Sequence, residues 1–450
     1  MTDTFARVAD FALTCRADQM PDSAKEAAAL MMLDTMGILI ASGPMEAGVI
    51  ARDTAALLYA STDAAYSARM PFDGRSVSMA GAAYAGATQI DNLDGHDGYN
   101  PTKGHIGVVV LPALIALAEQ CRDLNGPAAL AAVITGYEVA GRAGLSLHAS
   151  VSDYHTSGAW NALGVVAMAA RLRGHTRDQM RQAMGIAEYH GPRSQMMREI
   201  ANPTMLHDGS GWGAMVGMSA AILAERGFTG APAITIEAET AVPHWADLSQ
   251  FWQIEHQYVK PYPICRWAHA AIDGVRALMW EHDLTHTQIR SIQINSFHQA
   301  ACLFAGMPDT TSQAQYSLPF AVAVQAIHGR IGVEHISGSG LSDPVVEQLA
   351  RRIHVDENDR HSARFPRGRW ADVKLTTTDG QVLESGDIHA RGGPEAPMSR
   401  GEVIAKYMEF ATPVIGPTRA EAIHKVILGW VDPKSRYAGL LPLLFNAPAR

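Results

Sequence analysis

The chain has 450 residues, 47% hydrophobic and 18% charged, enough apolar material for a sizeable core and too much for wholesale disorder. Its net charge of −9 argues against a nucleic-acid partner, although a local cluster of Lys, Arg and His can still receive a small anion. Its four cysteines, Cys15, Cys121, Cys265 and Cys302, are widely spread with no CxxC spacing, which argues against a zinc ribbon or disulfide framework and fits a reducing compartment.

The first segment, "MTDTFARVADFALTCRADQMP", carries acids and no unbroken apolar run. It reads as neither a signal peptide nor a membrane span, so a cytoplasmic protein with no membrane partner is expected. "PDSAKEAAALMMLDTMGILIASG" begins with Pro and Asp, ends at Gly and is interrupted by Asp34, which predicts a buried helix. "IGVVVLPALIALAEQ", "GPAALAAVITGYEVAGRAG", "NALGVVAMAARLRG", "TRDQMRQAMGIAEY" and "GWGAMVGMSAAILAERG" repeat the helical pattern. Many are apolar on most faces, as central helices of a large bundle are. From about residue 262 the texture changes. "IRSIQINSF" alternates like a strand, and "ADVKLTTTDGQVLES" reads as a hairpin turning at Asp379-Gly380. "AAIDGVRALMWEHD", "FAVAVQAIHG" and "PVVEQLARRI" predict helices, "RGGPEAPMSR" a linker, and "GEVIAKYMEFA" and "TRAEAIHKVILGW" a helical end. The expected fold is mostly α with an inserted α+β part: residues 1–261 and 399–450 helical, and 262–398 mixed.

Four polar clusters interrupt this background. "DNLDGHDGYNPTKGH" holds Asp91, Asp94, His96, Asp97, Lys103 and His105. Its spacing matches neither an EF-hand nor HExxH, and the residues alone leave three readings open: a capped polar loop, an acid–base or anion site, or a metal site. Lys103 and His105 fall just before a predicted helix at Gly107, whose free N–H groups favour a carboxylate. "SDYHTSGAWNALG" sets Tyr154 and His155 ahead of another helix; either is a functional proton carrier or a structural residue. "HGPRSQMMREIANPTMLHDGSGWGA" carries His190, Arg193, Arg198, His207 and Asp208, without a Walker or Rossmann fingerprint. "VKPYPICRWAHAAIDG" holds Lys260 on a stiff Pro-flanked segment, with Cys265, Arg266 and His269 following. It reads as an anion clamp or base, or as a plain connector.

In this order, "AAALMMLDTMGILIASG", the aspartate-rich loop ending "GHIGVVVLPALIALAE", "TGYEVAGRAG", "YHTSGAWNALGVVAMAARLRG", "LHDGSGWGAMVGMSAAILAERGFTG", "KPYPICRWAHAAIDG", "QYSLPFAVAVQAI" and "TTTDGQVLES" make nearly the whole chain resemble the MmgE/PrpD family. The resemblance implies a helical domain from both chain ends, an inserted α+β domain, a site in the cleft between them, and a homodimer. It implies chemistry with no metal and no organic cofactor, and it carries the family's site positions onto Asp91, His105, His155 and Lys260. The family spans 2-methylcitrate dehydratases, cis-aconitate decarboxylases and iminodisuccinate epimerases. Thr204 stands where the decarboxylase and dehydratase branch has Lys and Phe320 where it has Tyr, and Cys265 aligns with a further His of the decarboxylase. The texture is nearer the epimerase branch.

The shared chemistry is proton removal next to a carboxylate, which needs cations for the developing dianion and a positioned base. The catalytic candidates are His105, Lys260, His155, Tyr154 and Asp91. The substrate-binding candidates are Asp94, His96, Lys103, Arg193, His207 and Arg266. Asp91 or Asp94 is expected to orient His105, and neighbouring cations to lower the pKa of Lys260. An epimerase of an iminodisuccinate-like dicarboxylate is the leading expectation and a 2-methylcitrate-type hydro-lyase the second. A decarboxylase and a non-catalytic metabolite-binding protein rank below them.

Overall fold

The structure is a computed structural model and describes residues 3–121 and 123–445. Ten helices build most of the first half: α1 (Asp3–Thr14), α2 (Asp22–Ser42), α3 (Glu46–Leu58), α4 (Met79–Asp91), α5 (Gly107–Ala118), α6 (Gly126–Ser150), α7 (Gly158–Arg173), α8 (Arg177–His190), α9 (Met196–Ala201) and α10 (Ser210–Glu225). Every residue of α5 is buried, and α2 is buried without a break from Met31 to Ser42, as the absence of a polar stripe in their sequences requires. Starts are set locally. The Asn125 side chain accepts from Ala128 N at 2.8 Å to open α6, and Thr176 and Gln179 form a capping box on α8.

Helix α10 packs on α4, α7 and α8, and α7 lies between α6 and α10. Close approach there depends on glycine: a Cβ on Gly213 would come 2.9 Å from Gly158 Cα. That contact brings the starts of α7 and α10 together. A two-stranded hairpin, β1 (Ser67–Arg69) with β2 (Ser76–Ser78), precedes α4 and is an element the sequence pattern did not announce.

The second half carries a four-stranded sheet of β3 (Ile289–Ser296), β4 (Ile353–Glu357), β5 (Trp370–Thr377) and β6 (Val382–His389), ordered β4-β3-β5-β6. Strands β3 and β4 are parallel; β3–β5 and β5–β6 are antiparallel, the latter joined at the expected Asp379-Gly380 turn with Gly380 at φ 93°. The helix His269–Glu281 covers β5 and β6. "PVVEQLARRI" ends as helix at Ala350, and Ile353 opens β4 opposite Ile292. Ladder pairing with β3 overrides the helical periodicity there. The helices Arg400–Ile415 and Pro417–Leu428 return to α2, so the chain's end packs on its beginning. Among the described residues no single helix is long and apolar enough to cross a membrane; α2 and α3 meet that requirement only as a pair, which is bent by 89°.

Candidate active site

The aspartate-rich loop between α4 and α5 is buried almost throughout, although nearly half of its residues are ionisable. Internal partners hold it. Lys406 Nζ donates to Asp34 Oδ1 at 2.6 Å and to the Gly95 carbonyl at 2.7 Å, so Asp34 anchors the cation that pins the loop. Asp97 accepts from Tyr137 Oη at 3.0 Å and Gly107 N at 3.3 Å. Burial, then Asp34, pushes the Asp97 carboxyl up to about 7.

These contacts set His105. Its Nδ1–H donates to the Asp97 carbonyl at 2.7 Å, which leaves Nε2 without a proton in the neutral ring. Nε2 lies 3.5 Å from Asp208 Oδ2, while Asp208 Oδ1 accepts from Ser157 Oγ at 2.8 Å. The Gly158–Gly213 contact makes this possible, since Ser157 and Asp208 immediately precede α7 and the start of α10. Burial, then Lys260, pulls the His105 pKa down, with Asp208 opposing them. Asp94, Lys103 and His207 all have left-handed backbones, at φ 51°, 56° and 46°. Such residues cost about 1–3 kcal/mol each and cluster where geometry serves function.

Asp94, Lys103, His105, Tyr154 and Asp208 line one side of a slot of about 20 Å³, room for one water. Tyr258, Lys260, Cys265, Arg266, Trp267, Tyr316 and Arg369 face them. Tyr258 is paired with Gly98 by two backbone bonds, and Val259 N donates to Gly392 O at 2.9 Å, so the expected linker at 391–400 is pinned beside the slot. Arg266 gives its Nη atoms to the carbonyls of Ala390 and Arg391 and lies 4.4 Å from the Tyr258 ring centre. Arg369 bonds the carbonyls of Pro366 and Gly368 and lies 4.7 Å from the Phe365 ring centre. The Nε of both arginines lacks a hydrogen-bond partner. Lys103 Nζ sits 4.2 Å over the Tyr154 ring, whose hydroxyl donates to the Lys103 carbonyl. Among the described residues Lys103, Arg266 and Arg369 have no carboxylate ion pair. Three cations thus converge with no carboxylate in direct contact, Asp273 and Glu395 attracting Arg266 only from farther off, which is costly unless an anion completes the site.

Two expectations are corrected. Lys260 is ion-paired to Asp94; burial opposes its charge, but the attraction of Asp94 wins and its pKa is raised. Of the two slot lysines the one with a lowered pKa is Lys103, through burial and then Arg369. Neither Asp91 nor Asp94 orients His105; the Asp97 carbonyl and Asp208 flank its two nitrogens. Asp91 instead accepts from Ser210 N at 3.0 Å and faces His96 at 3.7 Å, behind the slot.

The remaining candidates separate. His207 is buried 5.6 Å from the Tyr316 ring, pushed down to about 4 by burial, and outside the slot lining. His155 is buried but also outside it, and Arg193 is exposed on the surface. Asp208, Tyr258, Tyr316, Trp267 and Arg369 belong to the slot without any sequence expectation naming them as site residues. Tyr258 carries a signal in the sequence, because residues two apart in an extended segment share a face and Lys260 is a site candidate. Tyr316 lines the slot along with Tyr154 and Tyr258, whereas Phe320 is buried in the core. Cys265 lines the slot with its thiol pushed up to about 12 by burial, so it is neutral where an imidazole would exchange a proton. Thr204 bonds Glu199 and lines a different cavity. That cavity is an open groove of about 1190 Å³ lined in part by Met45, Asp309, Arg330, Leu341 and Val414.

The sequence matches the MmgE/PrpD N-terminal domain over residues 6–257 and the MmgE/PrpD C-terminal domain over residues 262–432. Two cis-aconitate decarboxylases of Aspergillus terreus, one from strain NIH 2624, are each 24% identical over 416 residues, covering 83% of this chain and 82% of the relative.

Proposed function

The chain belongs to the MmgE/PrpD family, and we propose that it removes a proton alpha to a carboxylate of a small di- or tricarboxylate, without a cofactor. The observation that carries this is the set of three cations without a carboxylate ion pair, Lys103, Arg266 and Arg369, lining the same slot as His105 with its unprotonated Nε2. Loss of an α-proton leaves an enolate-like dianion, and fixed cations in a dry slot stabilise that charge far more than water does. His105 is the base. Lys103, with its lowered pKa and no acid partner, is the second proton carrier. Lys260, held charged by Asp94, and the two arginines bind carboxylates. Tyr154 and Tyr316, raised well above the usual phenol by burial, keep their protons, and Tyr154 gives its own to the Lys103 carbonyl.

Among reactions, epimerisation of an iminodisuccinate-like dicarboxylate fits best. It needs two proton carriers and no leaving group, and Cys265 supplies no acid to help one depart. Hydration–dehydration of a hydroxy acid is the second reading. The similarity to decarboxylases keeps carbon dioxide release as a third outcome to measure. We read residues 1–261 with 399–450 as one domain and 262–398 as the other. The two walls must part to admit substrate, since the slot holds about one water as it stands. We also expect a homodimer: Leu206 and Trp212, large apolar residues in the segment that carries His207 and Asp208, are 74% and 51% exposed.

Incubation of candidate di- and tricarboxylates in deuterated water separates these outcomes. Epimerisation places deuterium on the α-carbon with no other change in mass. Dehydration loses water and creates an absorbing double bond, and decarboxylation releases carbon dioxide. No turnover of any such acid by a folded preparation removes the proposal.

A further inference from the structure

His96 is 0% exposed, yet neither ring nitrogen has a hydrogen-bond partner. Asp91 Oδ1 and Asp94 Oδ2, buried beside it, lack partners as well. Buried polar atoms left unpaired cost about 1–3 kcal/mol each and call for an explanation. The nearest groups to His96 do not supply one. Its Nε2 is 3.7 Å from Asp91 Oδ1, and its ring centre is 4.4 Å from that of His105. One donor atom each from Asp94, His96 and His105 lies within 4.8 Å of the other two. His105 already shows the arrangement common to metal-bound histidines, with Nδ1–H given to a backbone carbonyl and Nε2 free.

We propose that Asp94, His96 and His105 form a binding site for a divalent transition ion of the zinc class, which inhibits the enzyme by occupying His105 Nε2. The inhibitory part rests on the assignment of His105 as the base. Two imidazoles and one carboxylate suit zinc, cobalt, nickel or copper, whereas magnesium and calcium take mainly oxygen ligands. Lys260 engages Asp94 through Oδ1 and leaves Oδ2 free for the ion. Asp94 and His105 also line the slot, so an ion held between them and His96 would sit against its wall.

A second cluster shows what distinguishes this one. His361, Asp372 and Asp387 also place donor atoms within 4.8 Å of one another. There Arg360 bridges both aspartates, Arg364 holds Asp387 at 2.8 Å, and His361 Nε2 meets Asp372 at 2.8 Å. Those acids are matched and partly solvated, so although His361 Nδ1 lacks a partner, no unpaired buried carboxylate calls for an ion there.

The test is titration of chelator-treated full-length protein with cobalt(II) chloride, followed by visible absorption, then with zinc chloride by calorimetry. We expect one ion per chain, displacement of cobalt by zinc, and loss of turnover in step with occupancy. His96→Gln and Asp94→Asn, each checked for folding by circular dichroism, should weaken binding by more than about tenfold, while His361→Ala should not. Absence of stoichiometric binding to the wild type overturns the site, as does binding that survives both folded variants. If no ion binds while His105→Ala abolishes turnover, the metal site falls and the assignment of His105 stands. If the ion binds but His105→Ala keeps full turnover, the site stands, and both the inhibition and the role of His105 fall.

Discussion

The two cavities differ in almost every respect. The groove holds about 1190 Å³ and is lined by Glu46, Asp309, Glu334 and Glu409 against one cation, Arg330, which Glu334 and Glu409 already engage. The slot holds about 20 Å³ and gathers four cations, of which only Lys260 has a carboxylate partner. Size favours the groove and chemistry favours the slot. The lesson is that uncompensated charge beside an oriented imidazole marks where a carboxylate reacts; empty volume does not.

The sharpest way to break this contrast is to remove the base. His105→Ala should lower kcat by about 10²–10⁴-fold, whereas Leu341→Ala in the groove should leave steady-state rates near wild type. Next is Arg369→Leu. Losing one fixed donor to the developing charge should lower kcat/KM by roughly 10²-fold. The same change removes a buried cation without a counter-ion, so the melting temperature should hold or rise, where loss of an ordinary packing residue would lower it.

A subtler distinction lies in the pH profile. His105 acts as a base only when neutral, and its pKa lies below the ordinary imidazole value because of burial and Lys260. The acid limb of kcat/KM should therefore fall below pH ~6.5. Asp208 raises that pKa, so Asp208→Asn should move the limb to still lower pH. A limb moving upward would show that a different group titrates.

The smallest expected effect concerns Asp97, whose folded pKa of about 7 exceeds the unfolded carboxyl value. Between those values the folded state binds the extra proton, so stability from this group is present at low pH and lost as pH rises through about 7. Asp97→Asn should remove that slope, and its stability relative to wild type should grow from acid to neutral pH and then level off. Denaturant melts across this range read the difference directly.

Much of the helical half was legible because Ala, Leu and Gly recur at helical spacing and polar residues cluster where the chain turns. "DNLDGHDGYNPTKGH" stood out against that background, and His105 and Lys103 were visible in it. The facing wall was harder. Arg369 sits in "RFPRGRW" among other arginines in a loop, with no periodicity to select it. The direction of the Lys260 shift was wrong because its partner, Asp94, is 166 residues away in the chain. Sequence showed that cations were near in kind, but not which one met a carboxylate. Similarly, Asp91 and His96 read as members of the reactive loop, yet burial places them behind it.

The most direct measurement is a crystal structure with an unreactive dicarboxylate bound. The carboxylates should lie within hydrogen-bond distance of Lys103, Arg266 or Arg369, with the α-carbon facing His105 Nε2 in a widened slot. A ligand seated in the groove between Met45 and Leu341, with the slot still closed, would contradict the assignment.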